Sequence, residues 1–230
     1  MTPRAALRDG REMAVRMATP DDGAAIAAVH PLPEAADQPE TLYRNYYLAK
    51  TLIYTRAPAA GVMTGWLGED LAGFIFYCAD INAVGCFAKS PRTLLWLCGE
   101  ALRGRFGYSP RFLLNVARWG LQHFRQPHDY DAESEGHQTL PDIKAWVGTV
   151  HTVEAHRRLG VASALMTAVE DALRDLGAEQ VALWVADDNE GAQRLYEQRV
   201  YERLCTLPRM DEECALMVKD LRASEVTRPS

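Results

Sequence analysis

Trp146-Val147-Gly148-Thr149-Val150-His151-Thr152-Val153, then Glu154-Ala155, then His156-Arg157-Arg158-Leu159-Gly160-Val161-Ala162: this run decides the fold. Its first eight residues are mostly apolar or β-branched and read as a strand. After the turn, apolar residues recur at Val161, Leu165, Val169, Leu173 and Leu176, while Glu170, Arg174 and Asp175 fall on the other side. Spacing by threes and fours predicts a helix packed along one face, with Gly177 as its stop. A second apolar run, Val181-Ala182-Leu183-Trp184-Val185, ends in Asp187-Asp188-Asn189. A further helix begins there, with Ala192, Leu195 and Tyr196 along one side.

The turn carries the chemistry. A loop that opens a helix leaves the first backbone N–H groups without intrahelical partners, and the helix dipole adds partial positive charge at the same place. Phosphate binds at such ends. Leu159, Gly160, Val161 and Ala162 supply the amides, and small Gly160 and Ala162 let an anion approach the backbone closely. Arg157 and Arg158 add full charges beside them. The same residues also suit an ordinary strand-to-helix turn with solvated arginines, so this pattern alone leaves both readings open.

Taken together, the two segments resemble the GNAT superfamily of acyl-CoA-dependent N-acyltransferases. The family's pyrophosphate loop, Arg/Gln-x-x-Gly-x-Gly/Ala, is matched by Arg157, Gly160 and Ala162. Its later element, Asn-x-x-Ala-x-x-Leu-Tyr, is matched by Asn189, Ala192, Leu195 and Tyr196. The resemblance implies an α/β (α+β) fold with a central mixed, mostly antiparallel sheet and flanking helices. It implies acetyl-CoA, or another acyl-CoA, as co-substrate, with no metal. The acyl group would pass to a primary amine of a small acceptor by direct attack in a ternary complex.

Length and composition agree with one such domain, expected over residues 13–222. Of 230 residues, 48% are hydrophobic and 24% charged, which suits a chain with a sizeable core. No apolar run reaches the ~18–20 residues needed to cross a bilayer. Residues 1–12 lack the apolar stretch of a signal peptide and, like 223–230, read as a disordered tail. The five cysteines are an odd number without disulfide or zinc spacing, so reduced thiols and a cytoplasmic location are expected. A net charge of −6 speaks against nonspecific nucleic-acid binding.

Upstream, Ala14–Ala18 reads as a first strand, and Thr19-Pro20-Asp21-Asp22 as a helix cap leading into Ala24–Val29. Glu40–Leu52 forms another helix, with Tyr43, Tyr46 and Tyr47. By resemblance this part walls the acceptor site, although core packing with hydroxyls at the rim is the plainer reading of the tyrosines. Val62–Leu67 and Leu71–Ala79 make a hairpin, the second and third strands. The fourth strand waits until Trp146, so roughly 60 residues are inserted, more than an idle loop holds.

The insertion, about residues 86–142, has a character of its own. Arg92–Leu102 and Phe112–Phe124 show helical spacing. Lys89, Arg92, Arg103, Arg105, Arg111, Arg118 and Arg125 stand against Glu100 alone. Three roles fit that charge: a lid attracting a phosphate- or carboxylate-bearing acceptor, a helix pair on an anionic membrane, or a homodimer contact with solvated arginines. Between Gln126 and Asp142, His128, Asp129, Asp131, Glu133, Glu135 and His137 carry metal-ligand chemistry, but without a common helical face they read as a surface loop.

Acyl transfer to an amine needs a base for the ammonium, polarisation of the thioester carbonyl, and an acid for the leaving thiolate. By resemblance, the fourth and fifth strands splay where the thioester enters. Backbone groups near Val150 and Thr152 then bind the pantetheine arm like an added strand. Asn189 hydrogen-bonds that arm and Tyr196 is the acid; a helix cap and a core-facing ring are their plainer roles. Counting back by twos from Val150 gives Gly148 and Trp146, neither of which takes a proton. His151 has a suitable unperturbed pKa but falls on the opposite face by alternation, and Glu154 at the strand's end is the other base candidate. A base in the insertion, or a water chain, stays open as well.

Two departures from the family pattern stand out. Glu154 replaces a common proline, and a one-residue register change would exchange His151 and Thr152. Val200 stands where the family commonly has Gly; a left-handed stop suits it badly, so that turn should differ. Tyr201–Leu207 and Cys214–Lys219 are the last strands. The competing functions are an acyl-CoA sensor without catalysis and an acetyltransferase of protein lysines or N-termini.

Overall fold

A computed structural model describes residues 3–30, 40–106, 142–209 and 212–222. Eight strands form one sheet: β1 Arg4–Ala6, β2 Glu12–Met17, β3 Ala60–Leu67, β4 Asp70–Cys78, β5 Trp146–Thr152, β6 Gln180–Ala186, β7 Glu202–Arg209 and β8 Glu212–Asp220. Their spatial order is β1-β2-β3-β4-β5-β6-β8-β7, antiparallel throughout except between β5 and β6. The helices among the described residues are α1 Gly23–Val29, α2 Glu40–Tyr54, α3 Ile81–Lys89, α4 Pro91–Leu102, α5 Val161–Asp175 and α6 Glu190–Gln198.

The sheet separates two apolar layers. On one side α5 lays Val161, Leu165, Val169 and Leu173 against Val15, Ile75, Tyr77, Val147, Val181 and Leu183. Tyr196 and Leu195 of α6 join that layer. On the other side α1 and α2 cover Val62, Phe74 and Phe76 with Ile26, Ala27 and Tyr47. Alternation along β4 explains the division, since Ile75 and Tyr77 point one way and Phe74 and Phe76 the other.

Several expectations change. The amino-terminal segment expected as a tail supplies β1 instead: Arg4 pairs with Ala14, and Leu7 enters the core at 6% exposure. One buried leucine after a short strand gives no periodic signal to read. The insertion begins with α3, whose Asp80 side chain accepts hydrogen bonds from the Asn82 and Ala83 amides. Glu170, assigned to the solvent side of α5, is buried. The predicted helix Phe112–Phe124 and the acidic His128–His137 stretch lie outside the described residues. Among the described residues no group of His, Cys, Asp and Glu could hold a metal ion, and no helix is long and apolar enough to cross a membrane.

Candidate active site

β5 and β6 run side by side for only one register pair, Trp146 with Ala182, and then part. Two parallel strands that part leave backbone groups facing a wedge. Trp146 and Trp184 close its narrow end on the α2–α3 side, with ring centroids 6.3 Å apart and planes inclined by 23°.

Along its other edge β5 carries a bulge. Ile75 faces Val150 and Tyr77 faces Val147, so Gly148 and Thr149 together oppose Phe76. The extra residue resets the alternation that the sequence reading assumed. Val147 and Val150 both turn toward α5. Thr149 and His151 both turn toward α1 and α2: Thr149 Oγ1 accepts a hydrogen bond from Lys50 Nζ at 3.2 Å, and the His151 ring lies 5.3 Å from that of Phe74. Counting back by twos from Val150 therefore fails at Gly148.

His151 stands in a row of rings. The His30 imidazole is 5.8 Å away and is itself stacked on Tyr47 at 3.5 Å. Burial lowers the His151 pKa from the ordinary histidine value, and the charge of Arg157 lowers it further against a smaller opposing effect from the Val29 backbone. The imidazole is thus neutral at neutral pH and able to accept a proton. Lys50 extends the row, its ammonium 4.6 Å from the centre of the Phe76 ring and 5.6 Å from that of Tyr47. Glu154 lies beyond the strand in a short 3₁₀ turn and is exposed. Thr152 pairs with Gly73. Neither His30 nor Lys50 was found from sequence, because nothing local marks a residue that reaches the site from another layer.

Past the wedge, the chain turns into α5. Arg158 and Gly160 both take positive φ, 64° and 93°, and Gly160 is the N-cap. Arg157 and Arg158 are exposed beside it. The Arg8 amide donates to the Leu159 carbonyl at 3.0 Å and ties the turn to the β1–β2 hairpin. Arg8 thereby brings a third arginine to this corner, one that the sequence reading had left in a tail. Left-handed Arg158 and Gly160 flank Leu159 just ahead of a helix N-terminus, the kind of place whose free amides can receive a phosphate.

Residues 120–200 match the acetyltransferase (GNAT) family model. No curated protein matches the chain in sequence. Solved structures match its shape. A putative acetyltransferase, yncA, from Salmonella typhimurium, described with its cofactor acetyl-CoA, superposes with a TM-score of 0.51 at 14% identity over 95% of this chain and 98% of that one. The ribosomal-protein-S18-alanine N-acetyltransferase of Escherichia coli gives 0.52 at 12% identity over 91% and 94%. The GNAT domain of S. lividans PAT gives 0.53 at 14% identity over 95% and 96%.

The chain has the GNAT acetyltransferase fold.

The remaining residues that the GNAT resemblance singled out lie on α6. The Asn189 side chain caps it, accepting from the Ala192 amide at 3.1 Å. Tyr196 is 4% exposed among the residues of the α5-side core, and burial pushes its phenol up to about 12. At neutral pH it holds its proton. Val161 is buried under the sheet at 1% exposure, so it contributes its amide rather than its side chain to the turn.

Proposed function

We propose that this chain is an acyl-CoA-dependent N-acyltransferase that moves an acetyl or other short acyl group to a primary amine. The observation that carries the reading is the Arg157–Ala162 turn, with left-handed Arg158 and Gly160, at the end of a strand that has just parted from its parallel neighbour. The diphosphate of coenzyme A would bind the amides of Leu159 to Ala162 with Arg157 and Arg158 around it. Its pantetheine arm would lie in the wedge against the Val150–Thr152 backbone. The match with the GNAT family model and the likeness to yncA, described with acetyl-CoA, support this.

The residues then divide the work. His151, neutral and on the α1–α2 side of β5, takes the ammonium proton of the acceptor, directly or through water. Its position favours it over Glu154, which is exposed beyond the strand. The freed amine attacks the thioester carbonyl, which a backbone N–H of β5 polarises. The C–N bond forms as the C–S bond breaks; Tyr196, protonated by virtue of its burial, gives its proton to the thiolate, and the second proton shed by the nitrogen as it becomes an amide restores the phenol. Lys50, among aromatic rings on the same side as His151, favours a small acceptor that also carries an anionic group.

Turnover of acetyl-CoA with a panel of amino acids, amino sugars and diamines tests the reading. The wild type should release CoA with at least one amine. Tyr196→Phe should lower kcat by about 100-fold, the usual contribution of a placed general acid. No turnover by the wild type, together with normal CoA binding, would favour an acyl-CoA sensor.

A further inference from the structure

The carboxyl end of α6 departs from the family pattern at Val200, and a buried carboxylate on α5 sits beside it. Glu170 is 3% exposed at its side chain. Arg199 grips it with both arms of its fork: Nε donates to Oε1 at 3.0 Å and Nη2 to Oε2 at 2.9 Å. The same guanidinium reaches back along α5, where Nη1 donates to the Ser163 carbonyl at 3.2 Å and Nη2 to Thr167 Oγ1 at 3.1 Å. Arg199 is thus fastened from the first turn of α5, which opens at Gly160, to its third. Lys219 of β8 also donates to Glu170 Oε2, at 2.7 Å, and Arg174 stands 3.9 Å from it.

Arg199 is the C-cap of α6, and Val200 follows it with φ at 64°. The Val200 amide donates to the Glu197 carbonyl at 2.9 Å and the Tyr201 amide to that of Tyr196 at 3.0 Å. This is the Schellman pair that usually employs glycine. A left-handed residue with a Cβ costs about 1–2 kcal/mol, and Val200, 69% exposed, recovers little of that by burial. The turn is therefore held from its flanks. Arg199 anchors one side; Tyr201, 3% exposed with its ring 5.8 Å from that of Tyr196, anchors the other. Since the Tyr196 carbonyl closes the turn, Tyr196 moves if the turn opens.

We propose that Arg199 is a positioning residue: by holding the strained Val200 turn closed against α5, it fixes the Tyr196 phenol relative to the turn that binds the diphosphate. The proposal rests on the reading of Tyr196 as the acid. It separates Arg199 from Lys219, which pairs with the same carboxylate from β8 rather than from α6.

The test compares R199A, R199K, R199A/V200G and K219M. Thiol release from acetyl-CoA with the best amine of the panel is measured at a temperature where each is folded, and CoA affinity is measured by calorimetry. R199A should lose about tenfold in kcat, while its Kd for CoA changes less than about threefold, and R199K should fall between it and the wild type. Adding V200G to R199A should restore roughly half of kcat or more, because glycine takes this φ without strain. K219M should melt lower yet keep its kcat. Undiminished kcat in R199A, or no recovery with V200G, overturns the proposal. In a Y196F background, R199A should cost nothing further. If Y196F itself keeps full kcat, the acid assignment fails instead, and the V200G recovery decides the Arg199 tie by itself.

Discussion

Under the proposed function His151 is the base, and three influences set its pKa. Burial and the Arg157 charge penalise the imidazolium, while the Val29 backbone favours it. The first two prevail, so the acid limb of kcat/KM should lie below the ~6.5 of an unperturbed histidine. Arg157→Gln removes a positive charge, which raises the His151 pKa and should move that limb upward. A limb unmoved in a pH profile of this variant would mean that another group sets it. Val200 offers a second test at the same scale. Val200→Gly removes the Cβ strain, offset in part by the ~0.5–1 kcal/mol that glycine's freer unfolded chain costs. A gain of about 2 °C in Tm is expected by thermal melting, and a lower Tm would show that the turn is not strained.

At the scale of elements, the approach of α5 to the sheet depends on Gly73 of β4. A Cβ there would stand 2.6 Å from the His151 carbonyl oxygen and 3.0 Å from Val161 Cγ1. Gly73→Ala should therefore cost about 1–3 kcal/mol through displaced backbone, read as a fall in Tm. The helices and strands around this point were legible because each has one buried face: α5 repeats its apolar residues at the helical period, and the α5–β6–α6 order follows from two short motifs. What stayed hidden was set by interactions distant in the chain. The bulge opposite Phe76 depends on how β5 pairs with β4, and it decides which way Thr149 and His151 point. Glu170 reads as a solvent-side residue until Arg199 and Lys219 are brought against it. Val200 was expected to change its turn; instead the turn persists and its neighbours restrain it.

In the whole molecule, the sheet assigns the two substrates to different layers under the proposed function. The α5 side carries the anion-binding turn and Tyr196, and the α1–α2 side carries His151, His30 and Lys50. The basic excess of the insertion is partly consumed within the fold: Arg103 and Arg105 pair with Glu100, and Arg105 also reaches Asp21. Arg105 thereby ties the insertion to the 3₁₀ turn Pro20–Asp22 ahead of α1, while Arg103 pairs within the insertion itself. Everything functional nevertheless depends on whether the amides that open α5 hold a diphosphate. Calorimetric titration with CoA, set beside pantetheine, which lacks the diphosphate, addresses that directly. CoA should bind at a single site about 100-fold more tightly than pantetheine, a difference of about 2.7 kcal/mol. Equal affinities, or no heat with CoA, would contradict the account.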